Sequence, residues 1–315
     1  MAEKRKIIID TDPGQDDAVA ILLALASPDE IDILGIVAVA GNVPLAFTAR
    51  NVCKVLELGR RSDILVHAGC RRPMLREPRT AEYVHGPTGL DGPDLPEPAM
   101  PVGAQHGVDW LIDTIMAYPP GEITLCTLGP MTNIGVALVK APDIAPRLKQ
   151  IVMMAGGCFE GGNVTPTAEF NVFVDPEAAA VVLRSGVPIT MLPLDVTHQV
   201  LSNRKRIDAF AALGNRTGTA VAQMLAFSET YDVKKYGSAG APLHDPNVIA
   251  WLLNPALYKG RFINVCVETA GDLTLGMTVA DWWGVSGRTP NVTYLREVNA
   301  GGFYTMLTER LHRLP

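Results

Sequence analysis

Short apolar runs alternate with longer amphipathic stretches through the first two-thirds of this chain. The runs at 6–10, 32–39, 63–66, 122–127, 149–154 and 188–192 predict strands. The stretches between them, at 16–26, 44–58, 105–117, 131–140 and 176–185, predict helices. Such alternation predicts an α/β fold with an open, mainly parallel central sheet flanked by helices. After residue 195 the pattern changes. Helices are expected at 203–213 and 217–229, then a polar loop from Tyr231 to Leu243, a helix from about 246 and a last helix over 301–313. The runs 262–267, 273–279 and 292–297 predict antiparallel strands. Pro and Gly are evenly spread, with no repeat or low-complexity linker, so residues 1–315 read as a single domain with a modified, helical and antiparallel C-terminal third.

Composition narrows the function classes. Hydrophobic residues make up 48% of the 315 and charged residues 19%, enough apolar material for a sizeable core. A net charge of −6 without a basic tract argues against a general nucleic-acid binder, and Arg60-Arg61 and Arg71-Arg72 read as solvated loop charge. No apolar run approaches the ~20 residues of a membrane span. The N-terminus leads straight into a strand without a signal-peptide stretch. Five scattered cysteines lack metal-ligand spacing. These features predict a reduced, soluble, cytoplasmic protein with neither nucleic acid nor membrane as partner.

The richest chemistry follows the first strand. Asp10-Thr11-Asp12-Pro13-Gly14-Gln15-Asp16-Asp17 gathers four carboxylates at a strand-to-helix turn. Their mutual repulsion is costly unless a proton or cation resolves it, and hard divalent ions such as calcium take carboxylate oxygens. Helix capping accounts for Asp16 and Asp17 but leaves Asp10 and Asp12 unexplained. A metal or catalytic site is therefore expected here.

Other polar clusters sit at or just after predicted strand ends, where ligands of parallel sheets bind. Gly41-Asn42 follows strand 32–39. His85 opens the Gly- and Pro-rich loop His85-Gly86-Pro87-Thr88-Gly89-Leu90-Asp91-Gly92, either as a substrate contact or as a plain loop histidine. After strand 122–127 come Leu128-Gly129-Pro130-Met131-Thr132-Asn133, in which the Leu128 carbonyl can serve as a neutral calcium ligand. Thr132 and Asn133 read as internal hydrogen-bonders. The loop after strand 149–154 offers Asn163, Glu169 and Asn171 for hydroxyl groups, and Asp175 reads as a helix start. Leu243-His244-Asp245-Pro246 sets a proton donor beside a carboxylate, although Asp245 also suits a plain cap.

Together, and in order from residue 6 to about 310, these segments resemble the inosine–uridine-preferring nucleoside hydrolases. The resemblance implies an open α/β fold and calcium-dependent cleavage of the N-glycosidic bond of purine and pyrimidine ribonucleosides. It implies one calcium ion per subunit, held by Asp12, Asp17, the Leu128 carbonyl and Asp245. Asp12 is also expected to take the proton of a metal-bound water, and His244 to protonate the departing base. Asp16, Asn42 and Asn171 are expected on the 2′- and 3′-hydroxyls, Asn163 and Glu169 on the 5′-hydroxyl, and His85 in the base pocket. The family's ribose-contacting methionine falls at Met154 after a one-residue shift, since Ala155 directly precedes Gly156-Gly157. Phe227, Tyr231 and Tyr236 read either as residues that stack on a base or as plain packing in a mostly apolar helix pair. By family habit a homotetramer or homodimer is expected.

Three rival readings exist. One is a hydrolase restricted to pyrimidine ribonucleosides. Another, from a different class, is a calcium-dependent nucleoside or ribose binder without turnover, against which Asp12 and His244 speak. The last is a phosphatase using Asp10 and Asp12, which would need a lysine and a second acidic motif at later strand ends.

Overall fold

Ile7, Ile8 and Ile9 are all fully buried, although successive residues of a strand point to opposite faces. Their strand must therefore lie within a sheet covered on both sides. The computed structural model describes residues 4–315, the side chains of 232 and 236 excepted.

The chain opens with β1 (Arg5–Thr11), α1 (Gln15–Leu25), β2 (Ile31–Ala38), α2 (Leu45–Leu58) and β3 (Val66–Ala68). It continues through α3 (Glu82–His85), α4 (Gly107–Ala117), β4 (Ile123–Thr127), α5 (Thr132–Lys140) and β5 (Gln150–Met154). Next come α6 (Phe170–Val174), α7 (Pro176–Leu183), β6 (Ile189–Leu192), α8 (Leu194–Thr197) and β7 (Leu201–Ser202). The last third holds α9 (Arg204–Ala211), α10 (Arg216–Tyr236), β8 (Ala241–Pro242), α11 (Pro246–Leu253), β9 (Tyr258–Val267), β10 (Thr278–Asp281), β11 (Val292–Val298) and α12 (Ala300–Leu311).

One nine-stranded sheet runs in the order β10-β9-β11-β6-β5-β4-β1-β2-β3. The strands from β11 to β3 are mutually parallel, while β9 and β10 are antiparallel to their neighbours. The chain grows from β1 toward β3 on one side and resumes at β4 on the other. The strand order thus reverses at β1, and the crevice between the carboxyl ends of β1 and β4 is where such sheets bind ligands. Ile7 and Ile9 join the core formed with α1, α2, α11 and α12, and Ile8 joins the opposite core with α4, α5 and α7. Helix α1 is buried nearly all round because α2, α10, α11 and α12 enclose it, which explains its unbroken apolar run.

Four expectations are corrected. The third strand occupies 66–68 rather than 63–66, because Arg61 and Ile64 close a turn that delays pairing until Ile36 meets Val66. The helix expected at 217–229 continues to Tyr236, so the loop expected from Tyr231 starts only after Gly237, a left-handed cap with φ 62°. The strand expected at 273–279 pairs only over Thr278–Asp281, because Gly276 turns at φ 77° just before it. Finally, the strand at 292–297 is antiparallel only to β9, and it extends the parallel sheet on its β6 side. The five cysteines are free. No helix among the described residues is long and apolar enough to cross a membrane.

Candidate active site

The turn after β1 delivers its carboxylates to the reversal point of the sheet. Asp12 is fully buried, and its Oδ2 accepts the Asn42 backbone N–H at 2.7 Å. The Asn42 side-chain amide returns to the Asp12 carbonyl at 3.1 Å. Two glycines make room for this carboxylate: a Cβ on Gly41 would stand 2.0 Å from Asp12 Oδ2, and one on Gly129 2.3 Å from Oδ1. Asp17 accepts from the Gly14 N–H at 2.9 Å and from the Thr11 hydroxyl, so it caps α1 from within. Asp10 lies deeper and accepts from Asn133 Nδ2 at 2.7 Å.

Carboxylate oxygens of Asp16, Asp17 and Asp245 fall within 4.8 Å of one another. Asp16 thus stands in the cluster that the sequence reading drew with Asp12. Burial, then the charge of Asp17, pushes the Asp12 carboxyl well above its ordinary range, against the opposing Asn42 N–H. Asp17 is raised to about 6 by burial and then by Asp16. Asp245 is raised strongly by burial, then by Asp16, Asp17 and Asp12. Asp12 Oδ1 is buried without a hydrogen-bond partner among the described residues. An all-oxygen donor set, mutually repelling and with an orphaned lone pair, fits a hard divalent cation.

A cleft of about 820 Å³, its open mouth included, lies above these acids. Asp16, Asn42, His85, Leu128, Met154, Asn163, Glu169, Asn171, His244 and Asp245 all face it, while Asp12 and Asp17 lie beneath its floor. Asn171 Nδ2 donates to the carbonyls of Leu128 at 2.7 Å and Met154 at 3.1 Å, which fixes the orientation of its amide. Glu169 caps α6, accepting N–H groups from Asn171, Gly156 and Val172 at 2.7, 2.8 and 3.2 Å. Burial outweighs these donors and lifts its carboxyl to about 7. Asn163 Oδ1 accepts the Phe170 N–H at 2.9 Å.

The two cleft histidines are held differently. His85 ends helix α3 rather than lying in an open loop. Gln15 reaches over to it, with Oε1 2.6 Å from His85 Nδ1 and Nε2 donating to the carbonyls of His85 and Asp91. His244 Nδ1 lies 2.8 Å from the Thr197 hydroxyl, and the His198 ring is centred 5.6 Å away. Burial lowers both histidines, His244 to about 4.

Several predicted residues serve the frame rather than the cleft. Thr132 donates to Asp175 at 2.7 Å, and Asn133 bridges Asp10 and the Cys70 N–H, so both are internal hydrogen-bonders. Asp175 is more than a helix start, since besides capping α7 it accepts from Thr132 and the Met74 N–H. Among the stacking candidates, Tyr231 lines the cleft and meets Tyr83 edge-on at 5.5 Å. Phe227 instead packs beside Gly92, and the Tyr236 side chain lies outside the described residues. Sequence reasoning missed Gln15, Tyr83 and Thr197. Thr197 follows strand β6, so the strand-end rule that found Asn42 could have found it too.

Comparison with known proteins agrees with this geometry. The model of a family described as inosine-uridine preferring nucleoside hydrolase matches residues 7–305. An uncharacterized protein of Schizosaccharomyces pombe is 55% identical over 310 residues, covering 98% of this chain and 100% of its own. The pyrimidine-specific ribonucleoside hydrolase RihA of Salmonella arizonae is 45% identical over 306 residues, 97% of each chain. The solved purine-preferring ribonucleoside hydrolase from Gardnerella vaginalis superposes with a TM-score of 0.91 at 30% identity, covering 98% of each chain.

Proposed function

Because this chain belongs to the inosine-uridine preferring nucleoside hydrolase family and is an N-glycosidase, we propose that it hydrolyses purine and pyrimidine ribonucleosides to ribose and free base. The observation that carries the reading is the assembly of an acid cluster and His244 in one cleft.

We place a calcium ion on Asp12, Asp17, the Leu128 carbonyl and Asp245, with Asp16 beside them. When bound, it supplies Lewis acidity toward water and ribose hydroxyls. Asp12 takes a proton from the attacking water; the Asn42 N–H on Oδ2 orients the carboxylate in the room left by Gly41 and Gly129. Asp16, Asn42 and Asn171 hold the 2′- and 3′-hydroxyls, Asn163 and Glu169 the 5′-hydroxyl, and Met154 packs against the ribose. These oxygen-rich groups also stabilise positive charge developing on the sugar as the glycosidic bond lengthens. His244 meets the departing base, which takes the electron pair of the broken bond and a proton. Burial holds the His244 pKa at about 4, so near neutrality the ring is uncharged and meets the base as an N–H hydrogen-bond donor. His85 borders the base pocket.

A narrower reading, hydrolysis of pyrimidine ribonucleosides alone, is favoured by one observation. The relatives named pyrimidine-specific are 44–45% identical, whereas the purine-preferring neighbour is 30% identical. Ribose release from inosine, adenosine, guanosine, uridine and cytidine, beside an Asp12→Asn control, tests both. Release from both classes, lost in the control, is expected. Release from uridine and cytidine alone selects the narrower reading, and binding without release from any of the five overturns the hydrolase.

A further inference from the structure

We propose that Thr197 is a positioning residue for His244, its hydroxyl holding Nδ1 so that Nε2 presents a hydrogen-bond donor to the departing base. The inference rests on the hydrolase reading above and adds a residue outside the cleft wall.

Thr197 is fully buried at the end of the short helix α8, directly after strand β6. Its Oγ1 lies 2.8 Å from His244 Nδ1. His244 lies just past strand β8 and faces the cleft, so the two residues reach each other from separate elements. The helix backbone fixes where this hydroxyl sits: the Thr197 N–H bonds to the Pro193 carbonyl, and the following His198 N–H to that of Leu194. Helix α8 is in turn tied to the sheet through Asp195, which accepts the Tyr294 hydroxyl and the N–H groups of Cys158, Phe159 and Glu160. A threonine also has few χ1 options, being β-branched.

The direction of the bond follows from satisfying the hydroxyl. If Nδ1 carried the hydrogen, the buried Thr197 hydroxyl would accept it and would need a separate acceptor for its own proton. Donation from Thr197 to Nδ1 uses that proton and avoids the cost of a buried, unsatisfied donor. The neutral ring then carries its hydrogen on Nε2, the nitrogen left to meet a ligand. A departing base gains electron density and needs a donor there; the opposite tautomer would present a lone pair.

The test compares Thr197→Val, which keeps shape and loses the hydroxyl, with Thr197→Ser, which keeps the hydroxyl. Two substrates are used: uridine, whose base leaves poorly without a donor, and para-nitrophenyl riboside, whose phenolate leaves unaided. For Thr197→Val we expect kcat on uridine to fall ~10- to 100-fold with KM little changed, while cleavage of para-nitrophenyl riboside stays within ~2-fold. Thr197→Ser should restore most of the uridine rate. Equal losses on both substrates, or no loss on uridine, would overturn the proposal. Ring-nitrogen NMR shifts of His244 in the unmodified protein at mildly alkaline pH give an independent reading that needs no variant. Hydrogen on Nε2 supports the proposal and hydrogen on Nδ1 overturns it. If the unmodified protein cleaves neither substrate, the hydrolase reading fails, and the tautomer still decides whether Thr197 sets His244.

Discussion

Asn42 binds Asp12 twice, its backbone N–H meeting Oδ2 at 2.7 Å and its side-chain amide meeting the Asp12 carbonyl at 3.1 Å. The pair joins the carboxyl ends of two adjacent parallel strands, β1 and β2, and so registers the acid turn against the sheet. It also occupies one carboxylate oxygen and leaves Oδ1 for a ligand or a proton.

That arrangement depends on the absence of a side chain at Gly41, where a Cβ would stand 2.0 Å from Asp12 Oδ2 and 2.9 Å from Pro130 Cδ. Gly41→Ala is expected to displace the carboxylate, cost about 1–3 kcal/mol of stability and lower kcat by at least ~100-fold. Melting curves and steady-state kinetics check both effects. Wild-type turnover in a folded Gly41→Ala protein would refute the cradle.

The acid cluster predicts divalent-ion dependence. Calorimetric titration of the chelator-treated protein should detect calcium binding, and calcium at about a hundredfold its Kd should add about 2.7 kcal/mol of stability. Asp245→Asn should weaken that binding by at least ~10-fold, by analogy with the losses seen when metal-site partners are removed. Calcium affinity unchanged in Asp245→Asn would exclude this carboxylate as a ligand, whatever the effect on turnover.

Glu169 predicts a pH dependence of stability. Its carboxyl titrates at about 7 in the folded protein against an ordinary value of 4.5. Between those values the folded chain keeps a proton that the unfolded chain has released. Stability contributed here therefore falls as pH rises from 4.5 to about 7 and is level on either side. Melting temperature against pH should show a shallower decline over this window in Glu169→Gln than in the wild type. Parallel curves would mean that Glu169 is ionised throughout.

Gln15 ties the α3 segment to the acid turn through His85 and Asp91. Gln15→Leu removes those bonds without changing a carboxylate. KM for nucleoside is expected to rise ~5- to 10-fold, about what one or two net hydrogen bonds are worth, with kcat within ~2-fold. A fall in kcat with KM unchanged would place Gln15 in the chemical step instead.

The residues legible in the sequence were those whose signal is local. Ile7–Ile9 followed by four acids and an apolar helix announces a strand, a turn and a buried helix, because periodicity and turn chemistry act over a few positions. Asn42, Leu128, Asn163, Glu169 and Asn171 line the cleft as their positions after strand ends led one to expect, because parallel sheets form their crevice at the carboxyl ends of the strands. The change of pattern after residue 195 was visible too, but the return of β11 to pair in parallel with β6 was not, since pairing partners are set by packing between distant segments. Helix α10 outran its predicted end for a similar reason: neither its contacts with α9 and the cleft nor its left-handed cap at Gly237 is written in a hydrophobic period. The sequence by itself determined which chemical groups this protein has and which strand ends carry them. Only the tertiary structure decided which carboxylates repel one another, why Gly41 and Gly129 lack side chains, and that Thr197 meets His244 across 47 positions of chain. Hydrogen bonding and electrostatics depend on separation in space, and local pattern carries no record of it.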